Sequence, residues 1–131
     1  MKNEVVTIDL GSNSFRVLKY DCLNFKIIDE YHQVVGLADG LINSGLISYE
    51  ALNRVIDAIN IAKDKLSFKP ENAVCVTTAA MRKAKNSQEA LDFIEKNSGA
   101  KFKIIDSNEE ASLTLLAIKY ALKQEKIDTQ N

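Results

Sequence analysis

The stretch from residue 5 to residue 16 constrains the fold more than any other part of this sequence. Its first half is apolar and rich in β-branched residues, as expected for a buried strand, and it carries a single carboxylate, Asp9. Gly11 then permits a backbone conformation that a Cβ atom would oppose. The stretch therefore predicts a strand, a tight turn and the start of a second strand.

The turn itself carries small polar residues that suit an anion. Ser12, Asn13 and Ser14 leave their backbone N–H groups unshielded, and successive N–H groups in a turn form a concavity of anion size. Arg16 follows two residues after Ser14, on the same side of an extended chain. Together with Asp9 these groups suit a phosphate with its metal, whereas the alternative is a plain β-hairpin with ordinary turn residues. The cost of an unpaired carboxylate in a buried strand favours the phosphate site.

Composition and charge exclude several classes of function. The 131 residues suffice for one domain with its own core, and 17 Lys and Arg against 18 Asp and Glu leave a formal net charge of -1. This balance predicts no nucleic-acid polymer and no membrane as a partner. A strand follows the N-terminus directly, so no secretory signal is expected, and Cys22 and Cys75 are interpreted as buried, reduced thiols of a cytoplasmic protein. The single histidine, His32, is interpreted as a strand side chain rather than a metal ligand.

The remaining pattern predicts an α/β sheet. Three successive strands with short links predict an antiparallel meander, and a helix between two strands predicts a parallel crossover. The predicted elements are strands over 5–10, 14–21, 25–35, 73–78 and 101–106, and helices over 49–66, 86–98 and 109–123. Ser48 is a predicted N-cap, and Asn86 and Glu89 have capping-box spacing. Residues 36–45 are interpreted as a connection between a strand and a helix.

Arg82 directly follows a predicted buried strand. In open α/β sheets, ligands bind beyond the carboxyl ends of the strands, and this rule places Arg82 at that rim. Its planar guanidinium can bind a phosphate through two parallel hydrogen bonds, which lysine cannot reproduce. The alternative is a solvent-exposed arginine on the surface of a helix.

Glu110 lies at the start of the last predicted helix. Ser107 and Glu110 have capping-box spacing, so the residues alone favour a role for Glu110 in holding the N-terminus of that helix. The helix over 109–123 is apolar around most of its surface, which is typical of a helix buried on several sides. We therefore expect another domain, or a second copy of the chain, to cover part of it.

Four stretches of the chain, taken in order, resemble one known family. Residues 8–16 resemble the first phosphate loop of the exopolyphosphatase/guanosine pentaphosphate phosphatase family, which belongs to the actin-like ATPase superfamily. Leu-Ala-Asp-Gly at 37–40, Ala-Met-Arg at 80–82 and Glu-Glu-Ala at 109–111 are also similar to the family. The resemblance covers residues 5–122. It implies an α/β fold, the RNase H-like half of an actin-like fold, with a mixed five-stranded sheet in βββαβαβα order and helices packed on it.

The resemblance also implies a division of roles in the hydrolysis of a terminal phosphoanhydride. One group of residues binds the phosphate, one carboxylate positions Mg²⁺ or another divalent cation through water, and another carboxylate deprotonates the attacking water. These residues are Gly11, Ser12, Asn13, Ser14, Arg16 and Arg82 for the phosphate, Asp9 for the metal and Glu110 for the water. Asp106 and Ser107 depart from the family's usual Ser-Gly, which adds a carboxylate near the site and removes backbone freedom. Asp39 receives no catalytic role.

The resemblance concerns the first domain of the family. Residues 1–123 are interpreted as this N-terminal domain and residues 124–131 as a frayed linker towards a missing C-terminal domain, so the 131-residue piece is expected to be weakly active or inactive. The implied substrates are inorganic polyphosphate and guanosine pentaphosphate, between which the sequence does not choose. The alternatives are half of another actin-like phosphotransferase, such as a sugar kinase, and a non-catalytic module that binds guanosine polyphosphates or a protein.

Overall fold

A computed structural model describes residues 4–106 of the chain. Within this range it has five β-strands, four α-helices and one short 3₁₀ helix. The strands are β1 (Glu4–Leu10), β2 (Ser14–Asp21), β3 (Lys26–Val34), β4 (Val74–Thr77) and β5 (Phe102–Ile104). The α-helices are α1 (Leu41–Ser44), α2 (Tyr49–Leu66), α3 (Ala79–Lys83) and α4 (Ser87–Ser98), and the 3₁₀ helix covers Pro70–Asn72.

The five strands form one mixed sheet in the order β3-β2-β1-β4-β5. The first three strands are consecutive antiparallel neighbours, which confirms the predicted meander. Strand β4 lies parallel to β1, and β5 lies parallel to β4, because a helix before each of them returns the chain to the same edge of the sheet. The carboxyl ends of β1, β4 and β5 therefore lie side by side, next to the turn between β1 and β2.

The main buried core lies on one face of this sheet, beneath α2 and α4. Alternate residues of β1 and β2 point into it, and Ile8, Leu10 and Phe15 are fully buried there. Most of the buried apolar residues of α2 belong to the same cluster. Asp9 and Arg16 belong to the alternate set, so the pleat of the strands projects them from the opposite face.

Helix α2 has the bounds that its sequence pattern predicts. It covers Tyr49–Leu66, and the Ser48 hydroxyl accepts a hydrogen bond from the Ala51 N–H at 3.1 Å, as expected for an N-cap. At the other end of the helix, Lys19 of β2 donates to the Leu66 carbonyl at 2.7 Å. The last carbonyls of a helix lack partners within the helix and carry partial negative charge, so a lysine ammonium stabilises this end.

Replacing Lys19 with methionine is expected to lower the free energy of unfolding by about 1–2 kcal/mol, because the end of α2 loses a charged donor. The Lys19 side chain is only 14% exposed, and its Nζ also lies 3.5 Å from Glu4 Oε1. Urea unfolding followed by circular dichroism measures the change. The exposed Lys101, replaced in the same way, serves as the control, and equal stability of the two variants would contradict this role for Lys19.

The structure corrects several details of the sequence interpretation. Cys22 lies in the turn after β2 and is partly exposed, so only Cys75 is a buried thiol. Asn86 precedes α4 but does not cap it, because its side chain instead hydrogen-bonds both the N–H and the carbonyl of Ile47. The short helix α1 lies within the connection over 36–45. Strands β3 and β4 are each one residue shorter at both ends than predicted, and β5 is shorter by one residue at its start and two at its end.

The order of the major elements as far as β5 agrees with the predicted order, with α1 and α3 as short additions. The predicted helix over 109–123 lies outside the residues that the structure describes, and so does the expectation that another domain or copy covers it. Over residues 4–106, none of the helices combines the length and the apolar character that crossing a lipid bilayer requires.

Candidate functional site

An open cavity of about 380 Å³ lies beside the hairpin formed by β1 and β2. Its lining residues are Asp9, Gly11, Ser14, Arg16, Glu30 and His32. The first four belong to the set that the sequence assigns to an anion and its metal. The last two come from β3 and do not belong to that set. The structure therefore gathers four of the predicted residues in one place and adds a carboxylate and an imidazole.

Strand register explains this grouping. Arg16 of β2 is paired with Asp9 of β1 on one side and with His32 of β3 on the other. Directly paired residues project from the same face of a sheet, with Cβ atoms about 4.5–5.5 Å apart. Glu30 lies two residues before His32 and so shares that face. The sequence predicts β3 as a strand, but only the register shows that Glu30 and His32 lie beside Arg16.

Arg16 and Glu30 form an ion pair at the cavity. Arg16 Nη2 lies 3.3 Å from Glu30 Oε2, and the two side chains are 53% and 56% exposed. An exposed pair of this kind contributes only about 0–1 kcal/mol, because water competes for both charges. A multiply charged anion can therefore displace Glu30 from Arg16 at little cost.

The backbone of the turn differs from the prediction at Gly11. The Gly11 N–H donates to the Ser14 carbonyl at 2.9 Å, so this N–H is already engaged within the hairpin. Gly11 is not in the left-handed region, and a Cβ atom there would meet Ser14 O at 3.5 Å, an ordinary contact. The expectation of a conformation that a Cβ opposes is therefore wrong. The turn's candidate donors to an anion are the N–H groups of Ser12, Asn13 and Ser14.

Among residues 4–106, three of the residues assigned to the site from the sequence are not in the cavity lining: Ser12, Asn13 and Arg82. Arg82 lies in α3, and its Nη1 donates to the carbonyl of Ile105, just beyond the end of β5, at 3.0 Å. This contact confirms that Arg82 lies at the carboxyl edge of the sheet, but β4 separates β5 from the hairpin. Glu110 lies outside the described residues. The roles of Arg82 and Glu110 stay predictions.

A buried threonine, missed in the sequence, joins two strand ends at this edge. Thr77 at the end of β4 is fully buried, and its hydroxyl donates to the Leu10 carbonyl at 2.8 Å. Leu10 directly precedes Gly11, so this bond fixes β4 against the beginning of the turn. Thr77 reads as an ordinary strand residue in the sequence, because only the parallel pairing of β1 with β4 brings it to Leu10.

The donor set of the cavity suits a hard cation. Asp9 and Glu30 supply carboxylate oxygens, and Asp9 Oδ1 is buried. Mg²⁺ prefers oxygen ligands and keeps several waters, so one or two carboxylates together with a phosphate suffice to hold it. Among residues 4–106, no three His, Cys, Asp or Glu side chains are grouped to hold a metal ion. A cation that binds here would therefore depend on its water and on the anion.

The cysteine thiol nearest the sheet edge is not suited to nucleophilic chemistry. Cys75 lies in β4, and burial raises the pKa of its thiol to about 12. The nucleophilic form of cysteine is the thiolate, so Cys75 stays inert at neutral pH. The chemistry that the described side chains support is the binding of an anion, with or without a cation, rather than the formation of a covalent intermediate on this thiol.

Comparisons with known sequences agree on one family. The sequence profile of the Ppx/GppA phosphatase family matches residues 16–128. The chain is 33% identical over 109 residues to a guanosine-5'-triphosphate,3'-diphosphate pyrophosphatase of Aliivibrio fischeri, a match that covers 81% of this chain and 22% of that protein. The chain thus spans only about a quarter of the length of the curated relatives compared, 28% in one case and 22% in another.

Solved structures show the same relationship at the level of the fold. A Ppx/GppA family member from Aquifex aeolicus superposes with a TM-score of 0.74 at 28% identity, over 92% of this chain and 40% of that one. An exopolyphosphatase from Cytophaga hutchinsonii superposes with a TM-score of 0.72 at 29% identity, over 84% of this chain and 36% of that one. The five-stranded mixed sheet and its helices therefore have the predicted α/β, actin-like fold.

Proposed function

The chain belongs to the Ppx/GppA phosphatase family, and from this premise we propose that its cavity binds the terminal phosphate of a phosphoanhydride that the whole protein hydrolyses. The substrate class follows from the relatives, which are named for exopolyphosphatase and guanosine-5'-triphosphate,3'-diphosphate pyrophosphatase activity. Inorganic polyphosphate and guanosine pentaphosphate both end in the same group, a phosphate joined through an anhydride bond. The proposal applies to either one.

One observation carries this proposal. The strand register sets Asp9 beside Arg16, on the face of the sheet opposite the main core, where both line the same cavity as the turn residues Gly11 and Ser14. A phosphate with its cation needs a carboxylate, a guanidinium and a turn whose N–H groups can donate to the phosphate. A plain hairpin has no reason to combine them around a cavity.

The residues of this chain would act by positioning and by neutralising charge. The N–H groups of Asn13 and Ser14 hold the oxygens of the terminal phosphate, and Arg16 neutralises them once Glu30 is displaced. Arg82 approaches from the edge of the sheet, since a guanidinium has five N–H donors and the bond to Ile105 uses one of them. Phosphoryl transfer depends chiefly on this kind of orientation and charge stabilisation.

Two carboxylates complete the proposed mechanism. Asp9 would hold Mg²⁺, or another divalent cation, through water, and the cation would supply further neutralisation of phosphate charge. Glu110 would accept a proton from the water that attacks the terminal phosphorus, so that the anhydride bond breaks and orthophosphate leaves. Separate carboxylates suit these two tasks, because a carboxylate that faces a cation is a poor base.

Release of orthophosphate tests the proposal. The complete protein, incubated with Mg²⁺ and either polyphosphate or guanosine pentaphosphate, is expected to release orthophosphate without any acceptor other than water. A phosphotransferase would release none until an acceptor is added, and a binding module would release none under any condition. Failure of the complete protein to release orthophosphate from both substrates would refute hydrolysis as its function.

Replacing Glu30 with glutamine is expected to strengthen the binding of inorganic tripolyphosphate by about two- to fivefold at low salt, because Arg16 loses a competing carboxylate. Calorimetric titration of the chain measures the affinity. The exposed Glu95 of α4, replaced in the same way, changes the net charge equally and is expected to have a smaller effect. If both variants bind as the wild type does, Glu30 does not compete for Arg16.

A further inference from the structure

The guanidinium of Arg54, on α2, hydrogen-bonds to the segment that follows β3. Arg54 Nε donates to the Val35 carbonyl at 2.6 Å, and its Nη2 donates to the Gly36 carbonyl at 3.2 Å. The same Nη2 lies 3.1 Å from Asp39 Oδ2. We call residues 35–39 the brace segment. Three contacts from one rigid, planar group hold its carbonyls and its one carboxylate on the side that faces α2.

The other side of the brace segment holds the turn of the candidate site. The N–H groups of Val35 and Gly36 both donate to the Asn13 carbonyl, at 2.8 and 2.9 Å. The Ala38 N–H donates to the Ser12 carbonyl at 2.9 Å. The brace segment therefore lies between Arg54 and the turn. The carbonyls of Val35 and Gly36 bond to Arg54, and the N–H groups of Val35, Gly36 and Ala38 bond to the turn.

These bonds determine where the N–H groups of the turn point. In a planar trans peptide, the C=O and the following N–H point in opposite directions, and residues 4–106 contain no cis peptide bond. Because the carbonyls of Ser12 and Asn13 point at the brace segment, the N–H groups of Asn13 and Ser14 point away from it. These are the two N–H groups that, in the proposed function, bind the phosphate.

Gly36 gives the brace segment its shape. Its φ is +61°, in the left-handed region, and a Cβ atom there would lie 2.5 Å from Asp39 Oδ2. A side chain at this position would thus push Asp39 away from Arg54. The short chain reversal at Gly36 brings the carboxylate back to the same guanidinium that binds the Val35 and Gly36 carbonyls.

From these contacts we propose that Arg54 is a positioning residue for phosphate binding. Its hydrogen bonds and ion pair among the described residues go to Val35, Gly36 and Asp39, and it is not a lining residue of the cavity. It acts through the brace segment, whose carbonyls it fixes and whose N–H groups then orient the peptide units of Ser12 and Asn13. A positive charge beside the brace carbonyls also polarises these peptide groups and strengthens the bonds they donate to the turn. The expected effect on phosphate binding rests on the proposed function. The expected effect on the backbone of the turn does not.

Two measurements on an Arg54→Lys variant test this inference. Lysine keeps the charge but lacks the planar fork, so it cannot hold the two carbonyls and Asp39 together. Amide hydrogen exchange, followed by NMR, is expected to speed up about tenfold or more at Val35, Gly36 and Ala38, with remote amides unchanged. The dissociation constant for inorganic tripolyphosphate is expected to rise by about tenfold. Lys63→Ala, which changes an exposed residue of α2, is the control and is expected to match the wild type in both.

The outcomes separate this inference from the proposed function. If the Arg54→Lys variant exchanges and binds as the wild type does, charge alone matters and the proposal is overturned. Unchanged exchange together with weaker binding overturns it as well. If the wild-type chain binds no tripolyphosphate, the proposed function fails, and local exchange alone decides whether Arg54 holds the turn. Should the lysine variant not fold, Asp39→Asn removes the ion pair between Asp39 and Arg54. Unchanged amide exchange at Gly36 in that variant then overturns the proposal.

Discussion

Replacing Glu110 with glutamine is expected to lower orthophosphate release by the complete protein by about 10²–10⁴-fold, because the attacking water loses its general base. Glutamine keeps the size and hydrogen-bonding shape of the side chain but cannot accept a proton at neutral pH. Substrate binding should therefore persist, so the change should appear in kcat and not in the dissociation constant. Measuring both quantities for the two substrates checks the prediction.

The chain offers a matched control in the neighbouring carboxylate. Glu109→Gln makes the same chemical change one residue earlier, and the resemblance gives that residue no catalytic role. Its turnover is expected to stay close to that of the wild type. Two results would count against the proposed mechanism: unchanged turnover in the Glu110 variant, or an equal loss in both variants, since an equal loss would indicate a general effect on the segment.

Replacing Phe15 with alanine is expected to lower the free energy of unfolding by about 3–5 kcal/mol, because the change leaves a cavity in the centre of the core. Phe15 is fully buried and packs edge-on against Tyr31, with the ring centroids 6.3 Å apart. It also directly follows the turn of the candidate site, so its side chain fixes the hairpin to the layer beneath. Urea unfolding followed by circular dichroism gives the free energy.

Phe25 provides the same substitution on the surface. It is 66% exposed, and its φ of 55° lies in a region that phenylalanine and alanine tolerate equally poorly, so the backbone cost cancels. Phe25→Ala is expected to change stability by about 0.5 kcal/mol or less. A similar loss in the two variants would mean that the core does not depend on Phe15.

Local patterns in the sequence were sufficient for the main elements. The period of apolar residues and the hydroxyl of Ser48 define α2, and both signals lie within the helix and its cap. The alternation of β2, which sends Phe15 to the main core and Arg16 to the opposite face, is equally local. Hydrophobic periodicity and capping act over a few residues, so they can be read before the chain is folded.

Details that depend on distant partners could not be read in this way. Asn86 has the spacing of a helix cap, but its side chain hydrogen-bonds the backbone of Ile47, 39 residues away. Gly11 looks like a residue chosen for an unusual backbone angle, yet its φ is ordinary, and it lines the cavity instead. The N-terminus of a helix and a distant backbone group can compete for hydrogen bonds from the same side chain. The sequence shows only the local partner.

The sequence by itself determined the family and the order of the major elements, and it supplied Asp9, the turn and Arg16 as the residues of the proposed anion site. Only the tertiary structure decided that Glu30 and His32 lie beside Arg16, and that Arg54 holds the turn through the brace segment. The physical reason is that strand register and the packing of α2 join residues 14 to 26 positions apart, through bonds that no local pattern encodes. The amino-acid sequence specifies which charged and polar side chains are present, and the tertiary fold determines which of them come into contact.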